Sequence, residues 1–209
     1  MQIKRRFWQF ASGVLLATVG AATPLHAQET IVAIRHAEKP AGGLGQLTCQ
    51  GLNRALALPK VLIGKFGRPD AIYAPDPAVQ VGDGSNQLYS YVRPLMTIEP
   101  TAITLGMPVN AQIGFTNISR MQSVLTAPVY AHALIFVAWE HGMLNEFAQR
   151  MLKSYDDNPS QVPDWPNNDY DRIYIFKIRQ DGARPRLSFR IDHEDLNGHL
   201  SSACPVPAQ

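Results

Sequence analysis

The sequence lacks several features that would place it in a specialised class of protein. It contains no internal repeat and no low-complexity tract, which argues against a solenoid or a disordered linker. The apolar stretch near its N-terminus, from Phe10 to Ala22, has 13 residues, well short of the about 20 that a membrane-spanning helix requires. Only two cysteines occur among 209 residues. The length fits one globular domain with a sizeable core.

The N-terminal segment has the three parts of a secretory signal peptide. Basic residues at positions 4–6 start it, the apolar stretch follows, and Ala27 offers a small residue for cleavage. We therefore predict a signal peptide over residues 1–27, a domain over residues 28–209, and a periplasmic or secreted location. The paired arginines leave twin-arginine export open beside the general secretory route.

Removal of the predicted signal peptide changes the charge balance. The whole chain has 19 Lys and Arg against 17 Asp and Glu, but residues 1–27 hold three of the basic residues and no acidic one. The predicted mature part therefore has 16 basic and 17 acidic residues, a net charge of −1. We expect no nucleic-acid partner and no membrane association after cleavage, since the basic excess that would support either is lost. The oligomeric state stays open.

Cys49 and Cys204 admit two interpretations. In an oxidising compartment they would form one disulfide between the start of an early helix and the C-terminal tail. Closing so long a loop stabilises a protein by up to ~4–5 kcal/mol in the chain-entropy description. The alternative is two separately buried thiols. The predicted export favours the disulfide.

Short apolar runs alternate with helical patterns along the chain. Strands are expected at 31–34, 71–74, 133–139, 172–178 and 187–191, the last two as a hairpin across 180–182. Helices are expected at 47–66, 86–105, 115–125 and 143–152, with interruptions at Pro59 and Pro100. An extended linker at 108–110 and a surface loop at 154–170 complete the prediction. This alternation predicts an α/β fold, a three-layer α/β/α sandwich around a mostly parallel sheet.

The first predicted strand ends in an arginine and a histidine. Ile31 to Ile34 form its apolar part, Arg35-His36 follow at once, and Pro40 prevents the strand from continuing. Ligands bind at the carboxyl ends of strands in open α/β sheets. A neutral imidazole can attack an electrophile, and a guanidinium can hold a phosphate through two parallel hydrogen bonds. The pair alone is weak evidence, because many strands end in polar residues.

A second strand end repeats this design. The apolar run that ends at Trp139 is followed by Glu140-His141-Gly142. In a mostly parallel sheet this end lies at the same edge as Arg35-His36, so the two histidines can converge. Arg93, on the helix after the second strand's loop, is expected at that edge as well.

Together these residues resemble the histidine phosphatase superfamily. The resemblance rests on Arg35-His36-Ala37-Glu38-Lys39, on Arg93 with Thr97, and on His141-Gly142 after an apolar strand. It covers most of residues 30–180. It implies the histidine-phosphatase-like fold and a secreted member of the phosphoglycerate-mutase-like branch that hydrolyses a phosphorylated small molecule.

The resemblance also implies a role for each residue. His36 would be the nucleophile that takes the phosphoryl group, and Arg35, Arg93 and His141 would bind the phosphate. Lys39 has two interpretations beside these, a further phosphate contact or a solvated surface lysine. Cationic side chains can stabilise phosphoryl oxygens without a metal, and the histidines show no metal-ligand spacing. We therefore expect neither a metal nor a cofactor.

The sequence departs from the family pattern in three places. Ala37 replaces the usual glycine after the nucleophile, and Gly142 stands where the acid-phosphatase branch has an aspartate. No Asp or Glu occurs between residues 100 and 139, after the second arginine, where the mutase-like branch usually has its proton donor. The candidates for that donor are Glu38 and Glu140, with Asp76 and Glu99 also near the predicted edge.

Two other functions are compatible with the sequence. The absent acid would suit a catalytically weak protein that binds phosphate or another anion in the same pocket. A phosphomutase would share the motifs, but mutase substrates and their phosphorylated priming cofactors are cytoplasmic, which the predicted export opposes.

Overall fold

Six strands form the mixed sheet at the centre of the molecule. The computed structural model describes residues 28–82, 86–180 and 184–205. In chain order the strands are β1 (Gln28–Arg35), β2 (Ala71–Pro75), β3 (Gln80–Val81), β4 (Tyr89–Ser90), β5 (Asn110–Ile113), β6 (Leu134–Trp139), β7 (Arg172–Arg179) and β8 (Arg186–His193). The sheet has the order β5-β2-β6-β1-β7-β8, and β3 pairs with β4 in a separate ribbon. The first three pairings in this order are parallel and the last two antiparallel, which confirms a mostly parallel sheet.

Four helices cover the two faces of the sheet: α1 (Cys49–Phe66), α2 (Arg93–Leu105), α3 (Ile118–Leu125) and α4 (His141–Ser154). Val32 and Ile34 of β1 pack with α1 and α2, whereas Ile31 and Ala33 pack with α3 and α4. Alternate residues of a strand point to opposite faces, so the run from Ile31 to Ile34 in β1 is continuously apolar because both faces of the strand are covered. The predicted three-layer α/β/α sandwich is confirmed.

The helix that carries Arg93 begins later than the pattern suggests. We predicted a helix from Asn86, but Tyr89–Ser90 pair with Gln80–Val81 and α2 begins at Arg93. Pro94 lies in the first turn of α2, where a backbone N–H has no partner within the helix. The missing N–H of proline therefore costs the helix no hydrogen bond. Arg93 is therefore a first-turn residue, and its position relative to the sheet is fixed by the start of the helix.

Two predicted helix breaks and one predicted linker are wrong. Both α1 and α2 continue through Pro59 and Pro100, because buried side chains on the following turns, such as Leu62 and Ala102, hold these helices against the sheet. The segment from Asn110, predicted as the end of a linker, is the edge strand β5, and the Asn110 side chain donates to the Ile72 carbonyl at 3.1 Å.

The remaining helices and strands agree with the prediction to within a few residues. Thr48 caps α1 by accepting a hydrogen bond from Gly51 N at 3.1 Å, and Asn117 caps α3. The hairpin of β7 and β8 is formed, although residues 181 and 182 of its predicted turn lie outside the described residues. The predicted signal peptide, residues 1–27, also lies outside them. None of the helices in the described ranges is both long and apolar enough to cross a bilayer.

The C-terminal tail after β8 is irregular, as predicted, but it is fastened to α1 at two points. Cys49 and Cys204 form the predicted disulfide, with Cα atoms 4.4 Å apart. The Asn53 side chain donates to the carbonyls of Ser201 and Ala203 at 2.9 and 2.8 Å. The tail therefore closes over the N-terminal half of α1.

A buried ion cluster forms a further attachment of the tail, and the sequence did not predict it. Arg54 of α1, 1% exposed, donates to Glu194 at 2.6 Å and to Asn197 at 2.7 Å. It also binds Glu38 at 2.8 Å, and Asp171 lies 3.4 Å away. One guanidinium thus joins the tail, the loop after β1 and the start of β7.

Glu29 offers a pH-dependent prediction about stability. Its side chain is buried at the start of β1, and Oε1 makes no hydrogen bond within the described chain. Burial raises the pKa of Glu29 to about 8. Between pH 4.5 and 8 the folded protein keeps a proton that the unfolded chain releases, so this carboxyl lowers stability progressively as pH rises.

We expect Glu29→Gln to leave the free energy of unfolding nearly unchanged at pH 4.5 and to increase it by about 3–5 kcal/mol at pH 9. Urea unfolding at both pH values measures the difference. Glu146→Gln, at an exposed position of α4, is the matched control and should change stability equally little at either pH. A gain for Glu29→Gln that is the same at both pH values would contradict the prediction.

Candidate active site

A cavity of about 580 Å³ opens at the carboxyl ends of β1 and β6. Its walls are formed by Arg35, His36, Lys39, Gln80, Val81, Gly82, Tyr91, Arg93, Phe115, Glu140, His141 and Asn167. Six of the residues predicted for a site therefore line one cavity: Arg35, His36, Lys39, Arg93, Glu140 and His141. Among the described residues no group of three or more His, Cys, Asp and Glu is arranged to hold a metal ion.

His36 is buried at the end of β1 with both ring nitrogens occupied. Nδ1 lies 2.8 Å from the carbonyl of Ala37, and Nε2 lies 3.2 Å from Nε of Arg93. The carbonyl can only accept and the guanidinium can only donate, so the proton is on Nδ1 and Nε2 carries the free electron pair. Burial and the charge of Arg93 lower the pKa of His36 to about 3. The imidazole is therefore neutral, with its unprotonated nitrogen beside a cation.

Arg93 is placed by the glycine-containing turn between β1 and α1. Its backbone N–H donates to the carbonyl of Gly45 at 2.9 Å, and its guanidinium lies 4.5 Å from the ring centre of Tyr91. Gly45 has a φ of +70°, and a Cβ there would meet the carbonyl oxygen of Ser90. Only glycine satisfies both conditions, since side chains disfavour that backbone conformation.

Thr97 connects the loop after β1 to the same helix. Its hydroxyl accepts from the backbone N–H of Ala37 at 2.9 Å and donates to the carbonyl of Arg93 at 2.7 Å. The backbone N–H of His36 donates to the carbonyl of Trp139 at 2.8 Å. These contacts hold the backbone around His36 against α2, which carries Arg93, and against the end of β6.

Arg35 is held by a loop that the sequence indicated only as surface. Its Nη1 lies 2.8 and 2.9 Å from the carbonyls of Asn167 and Asp169, and 3.3 Å from that of Pro166. The ring of Tyr170 lies 4.0 Å from the guanidinium carbon. Burial lowers the pKa of Arg35 from its ordinary value, although nearby acidic and phenolic groups oppose this effect. The loop thus orients the cation at the cavity wall.

Glu140 and His141 form a pair at the start of α4. The Glu140 carboxylate caps the helix by accepting from the Met143 N–H at 2.8 Å, and its Oε1 lies 2.5 Å from Nδ1 of His141. Burial alone would raise the pKa of Glu140, but the hydrogen bond and charge of His141, with backbone N–H groups of the first turn, lower it to about 2. Glu140 is therefore ionised at neutral pH.

Glu38 does not line the cavity, although it was one of the two main candidates for the proton donor. Its two carboxylate oxygens both lie 3.1 Å from Nε of Arg54, and the pair belongs to the buried ion cluster. Asp76 and Glu99 do not line the cavity either. Glu140 is thus the single carboxylate among its described lining residues.

Six lining residues were not among the predicted site residues: Gln80, Val81, Gly82, Tyr91, Phe115 and Asn167. Tyr91 and Phe115 form an aromatic contact, with ring centres 4.8 Å apart, on the wall beside Arg93. Asn167 belongs to the loop over Arg35. The Asp, Asn and Pro content of that loop was visible in the sequence, but it indicated only a surface position.

Comparisons with known proteins identify the fold of this chain. No family model matches the sequence, and no curated protein matches it. A candidate phosphohistidine phosphatase, SixA from Nakamurella multipartitia, superposes with a TM-score of 0.53 and 14% identity, covering 79% of this chain and 96% of that one. A mycobacterial glucosyl-3-phosphoglycerate phosphatase superposes at 0.51 with 13% identity, covering 79% and 97%. The chain therefore has the histidine-phosphatase-like α/β fold, and identities this low establish the fold alone.

Proposed function

We propose that this protein is a secreted or periplasmic phosphatase of the histidine phosphatase superfamily. It hydrolyses small phosphomonoesters through a phosphohistidine on His36, without a metal. The observation that carries the proposal is the state of His36, a neutral imidazole whose unprotonated Nε2 faces a cavity lined by Arg35, Arg93 and His141. A nucleophile surrounded by cations suits phosphoryl transfer, which needs positioning and charge stabilisation above all.

In the first step the substrate phosphate binds among Arg35, Arg93 and His141, and one of its oxygens displaces the contact between Arg93 and His36. Nε2 of His36 attacks phosphorus, an N–P bond forms, and the bond from phosphorus to the ester oxygen breaks. The leaving oxygen departs with that bonding pair. The Nδ1–H bond to the Ala37 carbonyl fixes the ring and stabilises the positive charge that develops on it.

In the second step water attacks the phosphohistidine. Glu140 is ionised and lines the cavity, so it can take a proton from the attacking water while the N–P bond breaks. The electron pair returns to Nε2, and inorganic phosphate leaves. An ionised Glu140 is poorly suited to protonate the leaving oxygen in the first step. The site therefore favours esters with good leaving groups, such as aryl phosphates.

The proposed location outside the cytoplasm has two supports. The disulfide between Cys49 and Cys204 is typical of an oxidising compartment. The pattern of residues 1–27 is that of a signal peptide. Lys39 lines the cavity and is proposed as a further contact for the phosphate.

A second candidate function is phosphate or anion binding with little turnover. The ionised state of Glu140 favours it, because no other carboxylate among the described residues lines the cavity. In that case Arg35, Lys39, Arg93 and His141 would hold an anion, with no proton donor for a leaving group.

Trapping the phosphorylated enzyme separates the two functions. The protein is mixed with an aryl phosphate in buffer containing a chelator, quenched in alkali and analysed by mass spectrometry. We expect turnover and one added phosphoryl group on the peptide that contains His36, and the same result for the control variant His199→Ala at an exposed position. Turnover without phosphate on His36 would refute the mechanism. Phosphate binding without turnover would favour the second candidate.

A further inference from the structure

The loop over Arg35 brings one side chain, that of Asn167, to the cavity. Its backbone is fixed on both sides, by the Arg35 contacts and by Trp165, which is buried and donates from Nε1 to the Asp169 carbonyl at 2.9 Å. The Asn167 side chain lines the cavity. The Asn167 side chain can therefore move only by rotation about its own bonds, and its carboxamide stays close to the same neighbouring residues.

That carboxamide meets His141. Asn167 Oδ1 lies 2.9 Å from Nε2 of His141, while Nδ1 of the same ring lies 2.5 Å from the Glu140 carboxylate. A carboxamide oxygen only accepts hydrogen bonds, so the contact with Asn167 Oδ1 requires a proton on Nε2 of His141. Asn167 Oδ1 thus occupies the acceptor position at Nε2 that a phosphoryl oxygen takes in the proposed reaction.

We propose that Asn167 contacts the substrate and exchanges its bond to His141 for a bond to the phosphoryl group. When phosphate binds, one of its oxygens accepts from Nε2 of His141. Rotation about the Cβ–Cγ bond of Asn167 then turns its Nδ2 amide, a donor, toward the phosphoryl group. A neutral carboxamide suits this exchange, because it offers an acceptor in one orientation and donors in the other, whereas a carboxylate would compete with phosphate for His141. This inference rests on the proposed function.

A pair of neighbouring variants tests the exchange. Asn167→Asp places a carboxylate against His141, and Asn168→Asp adds the same charge at an exposed residue that does not line the cavity. Calorimetry with inorganic phosphate and steady-state hydrolysis of an aryl phosphate, both at pH 7, compare the two. We expect the Kd for phosphate and the KM to rise at least about 30-fold in Asn167→Asp relative to Asn168→Asp.

The truncation Asn167→Ala separates the loss of the amide donor from the added charge. We expect it to raise the Kd for phosphate and the KM by about 3–10-fold, with a smaller change in kcat. Thermal unfolding without phosphate is recorded for every variant. A lower Tm together with an unchanged Kd in Asn167→Asp and Asn167→Ala would indicate a structural role and overturn the inference.

The outcome also distinguishes this inference from the proposed function. If the wild type hydrolyses the ester while Asn167→Asp and Asn168→Asp bind phosphate within about twofold of each other, Asn167 does not contact the substrate and the phosphatase proposal stands. If the wild type neither binds phosphate nor hydrolyses the ester, both proposals are wrong.

Discussion

The His36→Ala variant is expected to lose at least about 10⁴-fold in kcat for an aryl phosphate. Alanine removes the nitrogen that would accept the phosphoryl group, so the ester would have to react directly with water. The cations of the cavity remain in place, and they would still bind the substrate. We therefore expect kcat to fall far more than KM rises, as measured by steady-state kinetics in a buffer that contains a chelator.

The pH dependence of the wild type gives a second measurement of the same nitrogen. Protonation of His36 removes the nucleophile, and burial with the charge of Arg93 lowers its pKa to about 3. The loss of activity that protonation of His36 causes should therefore occur as pH falls toward 3, and not near the ordinary histidine pKa of about 6.5.

The control for the His36→Ala variant is His199→Ala, which should retain the wild-type kcat. A kcat of His36→Ala within about tenfold of the wild-type value would contradict the assignment of His36 as the nucleophile.

The Arg54→Leu variant is expected to unfold at a much lower urea concentration than the wild type and to give little soluble protein. The substitution leaves Glu38, Asp171 and Glu194 without the cation that they share. Burial already raises the pKa of Glu194 to about 8, although Arg54 opposes this effect. Removing one partner of a buried ion pair costs about 3–5 kcal/mol, which is comparable with the whole stability of many domains.

Two further substitutions serve as comparisons for the Arg54→Leu variant. Lys60→Leu removes one positive charge from an exposed position of the same helix, and it should leave the urea midpoint nearly unchanged. Arg54→Lys keeps the charge but cannot bond all of the carboxylates and Asn197 at once, so its midpoint should lie between those of Arg54→Leu and the wild type. Soluble yield and urea unfolding are measured in parallel. Equal midpoints for Arg54→Leu and Lys60→Leu would contradict a stabilising ion cluster.

The sequence predicted the fold well where the hydrophobic pattern was strong. The apolar runs before Arg35 and before Glu140 became β1 and β6, which lie side by side in parallel, as a buried strand requires. The errors occurred where local preferences and packing disagree. Pro59 disfavours a helix locally, yet α1 continues because Leu58 and Leu62 are buried on either side. The short strand β5 has no apolar run of its own and is specified by its pairing with β2.

The candidate site was predicted in part, and the missing part has a common cause. His36, Arg35, Arg93 and His141 follow from their places at strand and helix ends. Asn167 could not be predicted, because nothing within its own loop indicates that Arg35 lies against the backbone there. Arg54 did leave a signal, since it occupies the same face of α1 as Leu58 and Leu62. A charged residue on an apolar helix face implies a buried partner.

The order of strands in the sheet has a consequence for synthesis of the chain. β1 lies between β6 and β7, whose residues lie about a hundred or more positions later in the sequence. A nascent chain on the ribosome therefore carries His36 long before either hydrogen-bonding neighbour of its strand exists. Contacts between such distant segments slow folding, since a long loop must close before they form. A polypeptide that ends before β7 would hold all four proposed phosphate-binding and nucleophilic residues and still lack one of the two strands that pair with β1.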